Sequence, residues 1–406
     1  MKINRFKAWR PLNDLVEEVA SVPYDVVDRQ QAEKLAEGNP NSFLHVVRAE
    51  IDLPEIDNIY SDAVYEKAKK NLDRFIVDSI LIQEEEGSLY LYSQKMEDHI
   101  QYGIVATCHC EEYECGNIKI HEKTRKLKEE DRIRYVNEQN ANTGPVFLAY
   151  RDCVIINKIV EETKATSPIY HFIADDSVEH TVWKFQDPSL VEKAFANIKS
   201  AYVADGHHRS ASAVKVASMR RDANPNHTGN ENYNYFLTVF FPESELKILP
   251  YNRVVKSLDL SIDDFRTQLS EVFSIEANGI STPRRQGEIC MYFEGIWNTL
   301  TLRDTAQEDD PVASLDVSIL QDKILSPILN ICDPRENENI DFIGGIKGTK
   351  ELERLVDNNC AEIAFSLYPT SMDQLFSVAD AGKLMPPKST WFEPKLRSGL
   401  LVNKFD

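Results

Sequence analysis

The sequence lacks the motifs that mark most nucleotide-binding and hydrolytic enzymes. It has no G-x-x-x-x-G-K-[ST] phosphate loop, no G-x-G-x-x-G, no G-x-S-x-G and no H-E-x-x-H. Glycine itself is scarce, at 15 of 406 residues, so P-loop, dinucleotide and α/β-hydrolase readings lose support. Long apolar runs are missing too. Phe236–Phe241 is among the longest, far below the roughly 20 residues a spanning helix needs. The start, MKINRFKAWRP, has no apolar stretch of the kind a secretory signal carries. Positive charge is in deficit: 46 Lys and Arg against 66 Asp and Glu leave a net charge of −20. That balance argues against non-specific binding to nucleic acid or to an anionic membrane. A small basic pocket for an anion remains compatible with it. The seven cysteines are an odd number, and without a secretion signal they read as reduced thiols of a cytoplasmic protein. Cys108, Cys110 and Cys115 cluster around His109, but Cys-x-Cys matches zinc-hairpin spacing poorly and no second pair follows. Cys108 and Cys110 are therefore expected on one face of a strand.

What is present is ordinary globular composition, 42% hydrophobic and 9% aromatic, sized for two or three domains at roughly 150 residues each. There is no internal repeat. Asp222–Asn234, rich in Asn, Pro and Gly, is expected to be an exposed loop or a domain junction. Apolar spacing predicts helices over Asp62–Asp78 and Lys126–Asn142. SLYLYSQ and QYGIVATCHC alternate as two strands of a hairpin or meander, and PVFLAY reads as a short buried strand. Further on, YFLTVFF and LKILPYNRVV look like paired strands, SIDDFRTQLSEVF like a helix capped by Ser261, and EICMYFEG and WNTLTLRD like strands about a Gly turn. Helices are expected near Asp316–Leu329, Lys350–Asn358 and Ser371–Gly382, with the strand AEIAFSLYP between the last two. This mixture of meanders and helices predicts an α+β fold and not a doubly wound sheet.

Four segments could carry chemistry. The densest is Ala204-Asp205-Gly206-His207-His208-Arg209. The apolar run before it reads as a strand and Ser210–Arg221 as a helix, so the motif occupies a strand-to-helix turn. There the free N–H groups and the helix dipole attract an anion. Gly206 permits a tight turn, Arg209 offers a planar fork for phosphate oxygens, two imidazoles can donate, and Asp205 can hold Mg²⁺ or accept a proton. The plainer alternative is a polar turn with solvated histidines. The second segment is Ile118-Lys-Ile-His-Glu-Lys-Thr-Arg125. Glu122 at the end of a strand is a candidate general base, and Lys123 and Arg125 could face an anionic substrate; a solvated charged loop is the alternative. The third is Ser21-Val-Pro-Tyr-Asp-Val26, which is also readable as a simple turn. The fourth is Met385-Pro-Pro-Lys-Ser-Thr-Trp-Phe-Glu-Pro-Lys395, a Pro-rich loop that could cover a phosphate with Lys388 or Lys395, or pack back on the core.

ADGHHR, preceded by IHEKTR, with PYD near the start and MPPKSTWFEPK near the end, resembles a large bacterial family long catalogued only as a domain of unknown function. The HE and DGHHR elements are also similar to the free-serine kinases of the ParB–sulfiredoxin superfamily, which phosphorylate the hydroxyl of free L-serine. The resemblance implies a ParB/sulfiredoxin-like core over 119–232, flanked by α+β regions at 1–118 and 233–406. It implies Glu122 as base, Asp205 as essential carboxylate and Mg²⁺ ligand, and Gly206, His207, His208 and Arg209, with Lys388, Ser389 and Thr390, as phosphate-binding residues. His121, Thr124, Arg125, Tyr24 and Asp25 are left to hold the amino-acid substrate. Pyrophosphate is the expected donor, since no base-binding signature is visible, with ADP or ATP the alternatives. The chain departs from those kinases in length and in motif spacing. Sulfiredoxin carries Gly-Cys-His-Arg where this chain has Gly206-His207-His208-Arg209, so the reactive thiol is absent. ParB proteins bind CTP and DNA; the net charge of −20 and the lack of a recognition helix count against DNA. A ParB-like regulator that binds CTP or ATP without kinase activity is the alternative function.

Overall fold

A nine-stranded mixed sheet organises the first part of the chain. Its strands lie in the order Ile118–Lys119, Ala201–Asp205, Val146–Tyr150, Tyr235–Pro242, His99–His109, Tyr90–Met96, Glu179–Lys184, Tyr170–Ile173, and Ile3–Asn4 adds to His99–His109 off this path. The computed structural model describes residues 1–304 and 310–405. They form an α+β protein of two units, one made of Met1–Leu246 with Pro394–Asp406 and the other of Lys247–Glu393.

In the first unit the period-2 alternation of the strands builds the core. Leu89 and Leu91, Ile104 and Ala106, Val146 and Leu148, Ala201 and Val203, and Phe236 and Phe240 pack in one buried cluster. Tyr235–Pro242 is buried along its whole length, because a neighbour lies on each side. It runs parallel to Val146–Tyr150 and antiparallel to His99–His109. The expected pairing of this strand with LKILPYNRVV is therefore not what forms. Lys247–Leu249 pairs instead with Trp391–Glu393, and Tyr251–Val255 enters a different sheet. The helix Asp62–Val77 and the hairpin Tyr90–Met96/His99–His109 form where the patterns place them. The strand ends at His109, however, and Cys110 opens a helical turn, Cys110–Glu114. Cys108 and Cys110 are both buried in the core without sharing a strand. Burial pushes the Cys110 thiol up to about 12.

The second unit is built on a six-stranded antiparallel sheet ordered Phe273–Ala277, Ile296–Leu302, Glu288–Phe293, Ile363–Leu367, Tyr251–Val255, Ile340–Gly344. The helices Ile262–Val272, Gly348–Asp357 and Met372–Asp380 accompany it. Ser261 caps the first of these, accepting from the Asp264 N–H at 3.1 Å.

The divisions of the chain differ from those expected at 118/119 and 232/233. Both of those cut the nine-stranded sheet: Ile118–Lys119 pairs with Ala201–Asp205, and Tyr235–Pro242 sits between strands from either side of 118. The Asn-rich segment Asp222–Asn234 is a connection inside the first unit, and the breaks fall after Leu246 and after Glu393. No helix among the described residues is long and apolar enough to cross a membrane.

Candidate active site

Ile118–Lys119 and Ala201–Asp205 run side by side and parallel, Ala201 opposite Ile118 and Tyr202 opposite Lys119. Their carboxyl ends therefore open at the same edge. His121 and Glu122 follow one strand and Gly206-His207-His208-Arg209 the other. The register of Ala201–Asp205 against Val146–Tyr150 shifts between Val203 and Asp205, an irregularity of the kind that re-aims a side chain at the end of a strand. The two sequence motifs meet there: the rings of His121 and His207 contact edge to face, with centroids 4.6 Å apart at 85°.

Gly206 makes the turn. Its φ of 94° lies in the left-handed region, and a Cβ there would stand 3.1 Å from Arg209 Nε and 3.3 Å from Arg209 Cζ. The helix His207–Ala223 starts immediately after it. Its first N–H groups have no acceptors within the helix. It buries Ser210, Ser212, Ala213 and Ala217, small residues that let its N-terminal turn sit close to the sheet.

Asp205 is the electrostatic centre. Its Oδ1 accepts from the Gly206 N–H at 2.8 Å. Its Oδ2 faces Lys395 Nζ at 3.3 Å and Arg209 Nη2 at 3.7 Å. Burial works to raise its pKa, but Lys395 and Arg209 outweigh it and hold the carboxyl well below the usual carboxylate range. Arg209 donates from Nη1 to the carbonyl of Pro145 and lies 3.8 Å from Asp25 Oδ2. Its Nε is buried with no hydrogen-bond partner among the described residues. Lys395 is held by the returning C-terminal segment. The Lys395 carbonyl accepts from Gln94 Nε2 at 2.7 Å, and Ser398 exchanges backbone hydrogen bonds with Ser21 at 2.8 and 3.1 Å. This places the second residue of Pro394-Lys395 beside the Asp of a motif far upstream.

The histidines are kept neutral. Burial lowers His121 to about 4, with Asp205 opposing, and lowers His207 well below its ordinary value, with His121 adding to the effect. His207 Nε2 is buried without a hydrogen-bond partner among the described residues. His208 is lowered by burial and by Lys128. Its Nε2 accepts from the Arg125 N–H at 3.0 Å, so in the neutral ring the proton sits on Nδ1, which is left as a donor.

The other expected residues distribute unevenly. Tyr24 packs its ring on the Arg132 guanidinium at 3.9 Å. Asp25 reaches Arg209 as above. Thr124 spends its hydroxyl on Glu129 Oε2 at 2.6 Å. Arg125 is tied to the site by its backbone N–H, while its side chain is exposed. Lys388, Ser389 and Thr390 belong to the second unit. There the Lys388 carbonyl accepts from Arg253 at 3.0 Å and its ammonium lies 5.4 Å from the Tyr251 ring centroid. The Ser389 hydroxyl donates to the Pro386 carbonyl at 2.7 Å.

The family described as "Protein of unknown function (DUF1015)" matches residues 3–318. The chain belongs to this family. No curated protein matches it. Among solved structures it is similar to a free serine kinase in complex with AMP, at 12% identity over 73% of this chain and 91% of that one, TM-score 0.38. A mutant free serine kinase with ADP is similar at 13% identity over 73% and 92%, TM-score 0.37. SbnI with a C-terminal truncation, from Staphylococcus aureus, is similar at 11% identity over 74% and 87%, TM-score 0.40. The resemblance read from the motifs to a family of unknown function thus reappears.

Two contributors to the site escaped the sequence reading. Arg132 sits in the charged run KLKEEDRIR, indistinguishable by composition from its surface neighbours, yet it is buried between Tyr24 and Tyr135. Pro145 acts through its carbonyl, which no side-chain pattern reveals.

The donor set fits Mg²⁺ in one limited way. No group of three His, Cys, Asp or Glu among the described residues could hold a metal, and Asp205 Oδ2 already faces two cations. A single carboxylate completed by phosphate oxygens and water is nevertheless a usual Mg²⁺ environment, and Asp205 is the residue that would supply that carboxylate.

Proposed function

We propose that the protein transfers a phosphoryl group to the hydroxyl of free L-serine, giving O-phospho-L-serine, with pyrophosphate as donor in preference to ADP or ATP. The observation that carries this reading is the contact of His121 with His207, which sets the carboxylate-bearing loop of Glu122 against the anion-attracting turn of Asp205–Arg209. On the motif resemblance to free-serine kinases, a ParB/sulfiredoxin-like core is read within the first unit.

The step is built from the first unit alone. The serine hydroxyl is a poor nucleophile at neutral pH and must shed its proton as the new O–P bond forms; Glu122 accepts it. The bond from phosphorus to the bridging oxygen of the donor breaks, and inorganic phosphate leaves. The helix N-terminal N–H groups, His208 Nδ1–H and Arg209 hold the donor's oxygens. His207, kept neutral, can donate to a phosphate without adding a charge to the pocket. Lys395 meets the transferred group from the side of Asp205. Asp25 and Tyr24 line the acceptor side, with Asp25 suited to an ammonium. A Mg²⁺ held on Asp205 with the donor phosphates supplies charge neutralisation when bound. Most of the rate then comes from positioning and fixed charge.

The test is to incubate the purified protein and L-serine with pyrophosphate, ADP or ATP in turn, with Mg²⁺, and to assay O-phosphoserine. Product is expected, fastest with pyrophosphate. Absence of product with all three donors overturns the kinase reading, and nucleotide binding without product would favour a regulator.

A further inference from the structure

The acceptor side of the site contains a second arginine. Arg132 lies on the buried face of the helix Lys126–Gln139, with Tyr135 and Gln139. Its guanidinium is sandwiched, 3.9 Å from the ring centroids of Tyr24 and of Tyr135. With both faces covered, only its edges can bond. One edge is used: Nε and Nη2 donate to Asp131 Oδ2 at 2.9 and 2.6 Å. Nη1 has no hydrogen-bond partner among the described residues. The side chain is 9% exposed.

A cavity of about 40 Å³ adjoins it, walled also by Tyr24, Thr143, Ser398 and Arg209. That space has room for a small head group. Two nearly buried guanidinium groups, those of Arg132 and Arg209, line this cavity beside the apolar side chains of Val146, Phe236 and Leu237, and a carboxylate is the head group that their planar forks match. The planar fork of Arg132 gives it direction, and the Tyr24 and Tyr135 rings stop the fork from swinging to another partner.

We propose that this cavity takes the α-carboxylate of the acceptor, with Arg132 Nη1 as its principal donor, and that Arg132 thereby selects an α-amino acid over a simple alcohol. The proposal rests on the phosphoryl-transfer reading above and names the feature of the acceptor that the site reads. Asp25, three-quarters buried and bonded only loosely to Arg209 at 3.8 Å, is placed to meet the ammonium of the same molecule.

The test compares L-serine with L-serinamide, which keeps the hydroxyl and the amine and carries a neutral amide in place of the carboxylate, at saturating donor and at a pH low enough to keep both amines protonated. The wild-type protein is expected to prefer L-serine by roughly 100-fold or more in kcat/KM. Arg132→Met is expected to raise KM for L-serine at least about 10-fold and to shrink the preference to within a few-fold, with KM for the donor little changed. Arg132→Lys, which keeps the charge without the fork, should fall between. A wild-type protein that uses serinamide as well as serine overturns the proposal, even if the Met variant does not fold. So does a folded Met variant that still discriminates. Should the wild type turn over neither compound, the kinase reading falls, and calorimetry with the same two compounds decides the cavity. Serine binding that is absent with serinamide and lost in Arg132→Met supports it, and no serine binding overturns it.

Discussion

His121 and His207 touch ring edge to ring face at 4.6 Å, although one follows the strand Ile118–Lys119 and the other opens the helix after Ala201–Asp205. Both are buried, and burial lowers the pKa of each. The unfolded chain takes a proton on His121 below about pH 6.5, while the folded chain stays neutral until about 4. Between those values the unfolded state binds more protons, so stability is full above 6.5 and is lost as pH falls towards 4, by up to about 3 kcal/mol for His121. Urea unfolding at pH 7, 5.5 and 4.5 should show this loss. His121→Gln should flatten it, and an unchanged slope in the variant would contradict the buried neutral pair.

Gly206→Ala should be costly for two separate reasons. Its φ of 94° is strained for any side chain, and the new Cβ would press on Arg209 Nε. A loss of about 1–3 kcal/mol in unfolding free energy is expected, with weaker protection by inorganic phosphate in thermal melts. A variant as stable and as well protected as wild type would mean the turn does not depend on that conformation.

Asp205→Asn removes the carboxylate that Lys395 and Arg209 share. Because those two cations hold Asp205 ionised, the variant leaves both partly hidden charges facing each other. A drop of about 1–3 kcal/mol in stability is expected. Lys395→Met made on top of Asp205→Asn should cost less than it does in the wild type, and a double-mutant cycle reads the difference. Strict additivity would contradict the ion pair.

In the second unit, Asp316 is buried and accepts from the Gly287 N–H at 2.9 Å. Burial outweighs that hydrogen bond and raises its pKa to about 6. Here the folded state binds the extra proton, so the contribution is present below about pH 4 and is lost as pH rises through 6. Asp316→Asn keeps the oxygen acceptor and loses the charge. It should stabilise the protein at pH 7 by about 1–3 kcal/mol and have little effect at pH 4. Destabilisation at pH 7 would contradict a buried, proton-favouring carboxyl.

Local pattern was enough to read part of this. The alternation of SLYLYSQ and QYGIVATCHC gave their hairpin. Gly206 between an apolar run and a helix-forming stretch marked the strand-to-helix turn, because only that residue type tolerates the φ found there. What local pattern does not encode is partnership. Tyr235–Pro242 is apolar on both faces, so nothing in it says that it inserts between Val146–Tyr150 and His99–His109. LKILPYNRVV reads as the natural continuation of it, although the chain leaves the first unit there. Lys395 reaches Asp205 only because the last segment returns to pair with Ser21, Trp9 and Asn142. Arg132 looked like surface charge until two tyrosines closed over it.

The proposed transfer to serine depends on Glu122 as its base. Single-turnover transfer from labelled pyrophosphate to L-serine should be compared in wild type and Glu122→Gln, with donor binding measured alongside by calorimetry. Transfer is expected to fall roughly 100-fold or more in the variant while donor binding holds. Transfer within a few-fold of wild type would contradict the assignment and, with it, the mechanism built on the meeting of the two motifs.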